Sequence, residues 1–208
     1  AFYADTPVLT NSLVVGGLME IYNLVEFQSM NDTDGEIEVI LIHSPYGELR
    51  LNSLASPLRY TGLVNSSASF STIRARYLIV NGKLDAKVVD VYRGFDRLSI
   101  GSYGNLTFSS ISDFLVHDLY VNGTMVSKTS VILRGKSKHK IQVLHIESAG
   151  RLTLDQPSQN THAWSGISTV AAHIVNVDGY FHAGKMQNHW TPDDGWDSLN
   201  IGPRGVLK

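Results

Sequence analysis

The chain of 208 residues contains no cysteine, which excludes disulfide bonds, thiolate metal sites and cysteine nucleophiles. No apolar run approaches the roughly 18 residues that a membrane-spanning helix requires, so no membrane span is predicted. Charged residues make up only 17% of the chain and the net charge is -2. A surface with so little positive charge is not typical of proteins that hold nucleic acid, and no nucleic-acid partner is predicted.

Sequence signatures of common catalytic and cofactor sites are also missing. Ser165 does not lie in a Gly-x-Ser-x-Gly elbow, and no glycine-rich phosphate loop or dinucleotide fingerprint occurs. His173, His182 and His189 have spacings of nine and seven residues, which match no standard zinc motif. The acidic segment 31–36 lacks the full pattern of a calcium-binding loop. We therefore expect no cofactor, no metal and no enzymatic activity.

Two related motifs built around a glycine recur along the chain. The first reads apolar-x-Val, then Asn, Asp or Gly, then Gly-x-apolar, as in residues 78–84. The second has a longer turn and reads apolar-x-Ile, three residues, Gly-x-Leu, as in residues 98–106. The two motifs alternate, and their spacing of about 27 residues is typical of solenoid repeats. Their glycines are Gly17, Gly47, Gly82, Gly104, Gly123, Gly150, Gly179 and Gly205.

Alternating apolar residues on both sides of each turn indicate half-buried strands, with glycine supplying the positive φ of the turn. In a hairpin on Asn81-Gly82, Leu84 would face away from Leu78 and Val80. In an arc that joins strands of two different sheets, all three side chains face the interior. We therefore predict an all-β, right-handed parallel β-helix (β-solenoid) of about eight strand-turn-strand units, with an antiparallel β-sandwich as the alternative.

This arrangement predicts one continuous apolar interior, but it leaves open whether each turn of the helix carries one arc or two. Residues 1–208 are expected to form a single segment, internal to a longer chain. Further coils of the same chain, or other copies, are expected to cover its ends. The predicted interior residues are Leu78, Val80, Leu84, Leu98, Ile100, Leu106, Phe108, Leu144, Ile146, Leu152 and Leu154.

Four Asn-x-Ser/Thr acceptors, at Asn31, Asn65, Asn105 and Asn122, suggest a secreted or cell-surface glycoprotein. We predict sugar on at least two of them, with Asn105 and Asn122 facing solvent because both lie at predicted turns.

An acidic and aromatic cluster near the C-terminus is the strongest candidate for chemistry. Carboxylates flanked by tryptophans could serve a carbohydrate site or a glycosidase, although a turn with tryptophan packed on the stack also explains them. The cluster comprises Trp190, Asp193, Asp194, Trp196 and Asp197.

A short basic run is the second candidate. It is interpreted as a solvated loop, with a site for an acidic polysaccharide as the alternative. The run comprises Arg134, Lys136, Lys138, His139 and Lys140.

The apolar-x-Ile…Gly-x-Leu-x-Phe runs, such as residues 98–108, resemble those of right-handed parallel β-helix proteins. They are similar to large animal cell-surface β-helix proteins, including ones with G8 domains. Pectin-degrading members of that fold use spaced aspartates with Gly-His-Gly and Arg-x-Lys signatures, of which only Asp193-Asp194 has a counterpart here. The solenoid architecture and the predicted secretion lead us to expect a non-catalytic structural or adhesive segment of a larger extracellular glycoprotein or filament. A polysaccharide-binding or polysaccharide-degrading β-helix and a bacterial or phage surface fibre are the alternatives.

Overall fold

The computed structural model describes residues 8–21, 26–29, 36–43, 46–51, 71–73, 75–91, 94–110, 114–129, 131–136, 139–154, 168–183 and 195–208. These residues form β-strands and contain no α-helix. The strands are β1 (Val8–Leu9), β2 (Ser12–Val15), β3 (Leu18–Ile21), β4 (Glu26–Gln28), β5 (Ile37–Ile42), β6 (Glu48–Leu51), β7 (Ser71–Ile73), β8 (Ala75–Val80), β9 (Lys83–Val91), β10 (Phe95–Ile100), β11 (Asn105–Ser110), β12 (Phe114–Val121), β13 (Thr124–Ser127), β14 (Ile132–Arg134), β15 (Ile141–Ile146), β16 (Arg151–Leu154), β17 (Thr169–Val170), β18 (Ala172–Val177), β19 (Tyr180–Ala183), β20 (Trp196–Ile201) and β21 (Val206–Leu207).

The strands form two sheets, one of ten strands and one of eleven. Every strand pairing among the described residues is parallel. The strands on either side of a turn, such as β8 and β9, lie in different sheets and do not pair with each other. The antiparallel sandwich held as the alternative is therefore wrong.

The chain passes eight times from the ten-stranded sheet to the eleven-stranded sheet through a connection that we call an arc. We number the strand-arc-strand units one to eight: β2–β3, β5–β6, β8–β9, β10–β11, β12–β13, β15–β16, β18–β19 and β20–β21. Short arcs at 16–17, 81–82, 122–123 and 178–179 alternate with long arcs at 43–47, 101–104, 147–150 and 202–205. Both strands of each unit pair with those of the next, so each layer of this stack carries one arc.

The register of the sheets builds the interior. Leu98 of unit four aligns with Leu78 of unit three and Leu119 of unit five, as the prediction required. All eleven predicted interior residues are buried in one hydrophobic cluster, and that prediction is confirmed. A third inward residue precedes each pair: Phe95 is buried and aligns with Val116. Two successive outward residues separate it from Leu98, and the same pattern recurs in β5, β8, β15 and β18.

All of the arc glycines except Gly17 are required for a different reason from the one predicted. The described glycines with positive φ are Gly94 and Gly195, neither of which lies in an arc. A Cβ on Gly104 would lie 2.0 Å from the carbonyl oxygen of Val80, and one on Gly123 would lie 2.2 Å from that of Gly104. Glycine is therefore needed because the backbones of successive units approach too closely for any side chain.

Hydrogen bonds join the arcs into a column. In the short arc of unit five, Asn122 N and Gly123 N both donate to Ile100 O of unit four, at 2.8 and 3.2 Å. The long arc of unit four closes on itself, with Gly104 N donating to Gly101 O at 2.7 Å. In this short arc, two successive N–H groups donate to the same carbonyl oxygen of the preceding unit. The short arc can therefore stack on a long arc with both of its N–H groups hydrogen-bonded. The short and long motifs that alternate in the sequence are thus short and long arcs stacked on one another, with one arc in each layer.

Unit eight differs from the units beneath it. Leu199 and Ile201 occupy the columns of Leu98 and Ile100 but are 38% and 51% exposed. Within the described parts of the chain, no helix is long and apolar enough to cross a membrane.

Candidate functional site: the arc face

The tips of the long arcs carry the most exposed large hydrophobic side chains among the described residues. Tyr46 and Tyr103 are 82% and 79% exposed, and each immediately precedes the glycine of its long arc. The equivalent positions in units six and eight hold Ala149 and Arg204. An exposed aromatic ring is informative because burial of such a side chain is normally favourable. Sequence reasoning missed both tyrosines, although aligning the long motifs on their glycines would have placed them together.

In unit two, the two outward residues that follow the arc form an ion-pair network. Glu48 and Arg50 align with Lys83 and Asp85 of unit three. Arg50 Nε donates to Glu48 at 2.7 Å, Lys83 donates to the same carboxylate at 2.6 Å, and Arg50 also binds Glu20 of unit one. The hydrogen bond from Arg50, followed by that from Lys83, holds the pKa of Glu48 below its ordinary value. The network therefore ties units one, two and three together through an ionised carboxylate.

In unit four, the same two positions hold Asn105 and Thr107, which also align with Lys83 and Asp85. Asn105 is exposed, and the Thr107 hydroxyl donates to its Oδ1 at 3.3 Å. The structure therefore places this acceptor at the surface, as predicted. Asn122, in the short arc of unit five, was also predicted to face solvent but is only partly exposed. Asn31 and Asn65 lie outside the described residues.

A polar cleft lies on the surface formed by the arcs of units six to eight, and we call this surface of the stack the arc face. Its volume is about 450 Å³. Asp178 lies in the short arc of unit seven, between the long arcs of units six and eight, and its carboxylate is 3.9 Å from His145 Nε2. Carboxylates, a guanidinium and an imidazole around an open cleft can accept and donate hydrogen bonds to a hydroxylated ligand. The lining residues are His145, Glu147, Ser148, Asp178, Pro203 and Arg204.

The predicted acidic and aromatic cluster is described only in part. Trp190, Asp193 and Asp194 lie outside the described residues. Trp196 is half-buried and packs on Phe181, with ring centroids 6.4 Å apart. Trp196 therefore belongs to the packing of the stack.

Asp197 is bound by two side chains, one from each of the two preceding layers. It accepts a hydrogen bond from Lys140, and its other oxygen lies 2.6 Å from His173 Nδ1. Lys140 first, and then His173, hold the pKa of Asp197 below its ordinary value. Sequence reasoning missed this triad because its members are 57 and 24 residues apart in the chain and only the register brings them together.

Other members of the basic run and of the histidine set also have structural partners. Lys136 binds Asp96 at 2.7 Å, so two lysines of the run, this one and Lys140, are neutralised by carboxylates. Burial alone would raise the pKa of Asp96, but hydrogen bonds from Lys136 and Arg76 outweigh it and the pKa lies below its ordinary value. His182 stacks on Tyr180 at 6.3 Å between ring centroids, whereas His189 lies outside the described residues.

Neither a metal site nor a known relative guides the interpretation of the arc face. Among the residues with described positions, no three or more His, Cys, Asp or Glu side chains are grouped to hold a metal ion. Residues 31–35 of the acidic segment lie outside that set. The same chain was compared with family models, curated proteins and solved structures, and none of them matches it.

Proposed function

We propose that this chain is a length of right-handed parallel β-helix serving as a non-catalytic structural or adhesive segment of a larger extracellular glycoprotein or filament. The observation that carries the proposal is the parallel pairing of both strands of each unit with those of the next, through all eight units. Parallel strands linked by crossovers are right-handed in nearly all known cases, which supports the proposed hand. The textural resemblance to animal cell-surface β-helix proteins points in the same direction.

Charged side chains on the outer face of the ten-stranded sheet support a structural role. Arg76 of unit three binds Glu38 of unit two at 3.3 Å and Asp96 of unit four at 3.0 Å. These pairs join three successive layers through one guanidinium. Individually they are exposed and contribute little, but a network of them favours one register over others.

The exposed inward positions of unit eight motivate the proposed partner. Leu199 and Ile201 occupy inward positions of unit eight. In each preceding unit, the residues at these positions are covered by the next unit. We propose that a further coil of the same chain covers them, a second copy of the chain being the alternative.

Light scattering on the isolated chain tests this proposed covering. Wild type should associate end to end, whereas Ile201→Lys should shift the chain towards a monomer. A monomer that resists concentration without any substitution would contradict the proposal.

Passage through a secretory pathway is proposed from the four acceptors, of which Asn105 is exposed. Intact mass of secreted protein before and after glycosidase treatment should reveal sugar on at least two of Asn31, Asn65, Asn105 and Asn122. No change in mass would contradict the extracellular assignment.

Polysaccharide binding is the second candidate function, favoured by the arc-face cleft and not by the described part of the predicted cluster. Immobilised polysaccharides should retain wild-type protein and lose the Asp178→Asn variant, while Asp197→Asn, outside the cleft, should leave retention unchanged. Equal retention of the two variants would exclude the cleft as the binding site.

A further inference from the structure

Two of the glycan acceptors are preceded, two residues earlier, by a tyrosine. Tyr103-Gly104-Asn105 ends the long arc of unit four, and Tyr120-Val121-Asn122 enters the short arc of unit five. The sequence motif is the same at both sites, so the surroundings of each tyrosine decide whether its ring is available to contact a sugar.

The ring of Tyr120 is already covered. The guanidinium carbon of Arg97 lies 4.3 Å from its centroid, and His145 stacks on it at 6.3 Å between centroids. Tyr103 is instead 79% exposed at the tip of its arc. It therefore presents an aromatic face next to an exposed acceptor, whereas Tyr120 is occupied by protein groups.

The local geometry of Asn105 is compatible with an attached sugar. Its Oδ1 accepts the hydrogen bond from Thr107, while a glycosidic bond forms at the other side-chain atom, Nδ2. In that transfer Nδ2 bonds to C1 of the sugar and loses one proton, and the lipid diphosphate of a lipid-linked oligosaccharide leaves. The first sugar is then held within a few bonds of the arc that carries Tyr103.

We propose that Tyr103 is a stacking platform for the first N-acetylglucosamine on Asn105, so that glycosylation stabilises the arc of unit four. The C–H groups of a pyranose face carry partial positive charge, and the face of a tyrosine ring is negative, so the two surfaces attract. Stacking also removes apolar area of both groups from water. The inference rests on the proposed passage through a secretory pathway and adds a specific role for an exposed ring.

Unit two provides an internal control. Tyr46-Gly47 occupies the same place in its long arc, but the following outward residues are Glu48 and Arg50 and offer no acceptor. Loss of the Tyr46 ring should therefore not alter any effect of the sugar on Asn105.

The test is a thermodynamic cycle on the full 208-residue chain secreted from eukaryotic cells. Wild type, Tyr103→Ala, Asn105→Gln and the double variant are trimmed with an endoglycosidase that leaves one N-acetylglucosamine. With Tyr103 present, the sugar on Asn105 should raise Tm by about 2–4 °C. In the Tyr103→Ala background that gain should vanish, and in Tyr46→Ala it should persist.

A second measurement covers the case in which Tyr103→Ala destabilises the arc itself. Ring-current shifts of the sugar protons in NMR spectra should move upfield in wild type and return to ordinary values in Tyr103→Leu. If Asn105 carries sugar but neither Tm nor the shifts depend on Tyr103, the platform is wrong and the proposed function stands. If no sugar is found on Asn105, the platform is overturned, and a chain without sugar at any acceptor overturns the glycoprotein assignment as well.

Discussion

Units two and four share one strand-arc-strand plan, with a long arc that is one residue longer in unit two, and have different surfaces. Each has a long arc ending in Tyr-Gly, an inward leucine two residues after the glycine, and two outward residues aligned with Lys83 and Asp85. Unit two fills the outward positions with Glu48 and Arg50, and unit four fills them with Asn105 and Thr107.

Comparing the two units shows which residues the stacked strands require and which positions tolerate different residues. Both units keep a glycine at the end of the long arc and apolar residues at the inward positions, because backbone approach and burial allow little else. The outward residues differ between the two units, since outward side chains do not contribute to the interior. Function is therefore to be sought in the arc tips and the outward pairs, as is usual for connections on a rigid scaffold.

The largest effect should come from the shared glycines. A Cβ on Gly47 would lie 2.3 Å from Val15 O, and one on Gly104 would lie 2.0 Å from Val80 O. Backbone oxygens cannot move aside without breaking the arc column, so Gly47→Ala and Gly104→Ala should each cost more than about 4 kcal/mol. Gly16→Ala, where no atom lies within 4 Å, should be nearly neutral in urea denaturation. Equal tolerance at all three positions would refute the close-approach account.

The next largest effect should come from the inward leucines, and it should again be the same in both units. Leu49 and Leu106 are both buried, and Leu49→Ala and Leu106→Ala should each cost about 2–5 kcal/mol. Leu207 is half-buried at the equivalent position of unit eight, so Leu207→Ala should cost less. Chemical denaturation of the three variants measures this directly, and an equally large loss at Leu207 would mean that unit eight is covered.

Exchanging the outward pairs should transfer glycosylation from one unit to the other. Glu48→Asn with Arg50→Thr places an acceptor after Tyr46-Gly47, and intact mass of the secreted variant should show one additional glycan. Thr107→Ala should remove the glycan from unit four. If unit two stays unmodified while unit four carries sugar, the two arcs are not equivalent surfaces.

The smallest effect should be the pH dependence that Glu48 contributes in unit two. Since the pKa of Glu48 is lowered in the folded chain, its stabilisation is present above its ordinary value of 4.5 and is lost as the pH falls through the folded pKa. Glu48→Gln should therefore lower Tm by about 1–2 °C at neutral pH and by nothing in strong acid. Thermal unfolding of unglycosylated chain gives the comparison, with Thr107→Ala as the pH-independent control. A deficit that persists in acid would mean that the ion pairs are not its cause.

Much of this stack could be predicted from the sequence because its repeats are local. Leu98, Ile100 and Leu106 lie within nine residues of each other, and their period and the intervening turn were enough to place them in one interior. Phe95 was missed because two outward residues interrupt the period of two just before Leu98. Glycine was recognised at the turn, but its reason was wrong because the neighbouring layer is not visible in a single repeat.

The site was less predictable because it depends on the register. Before the order of the layers was known, the sequence alone could not show that Asp197 pairs with Lys140 or that Arg97 covers Tyr120. Equally, whether the long arcs of units two and four lie one layer apart or two could not be decided from alternating motifs alone.

One arc per layer is the central claim, and cysteine cross-linking tests it directly in a chain that has no cysteine of its own. Ser99 aligns with Ile79 of the next layer, at a strand spacing of about 5 Å that a disulfide can span. Leu41 aligns with Ile79 in turn, so it lies two layers from Ser99, about 10 Å away and beyond disulfide reach. Under mild oxidation, Ile79→Cys with Ser99→Cys should form an intramolecular disulfide, and Leu41→Cys with Ser99→Cys should not. The reverse result would mean that each layer carries two arcs and would contradict the account.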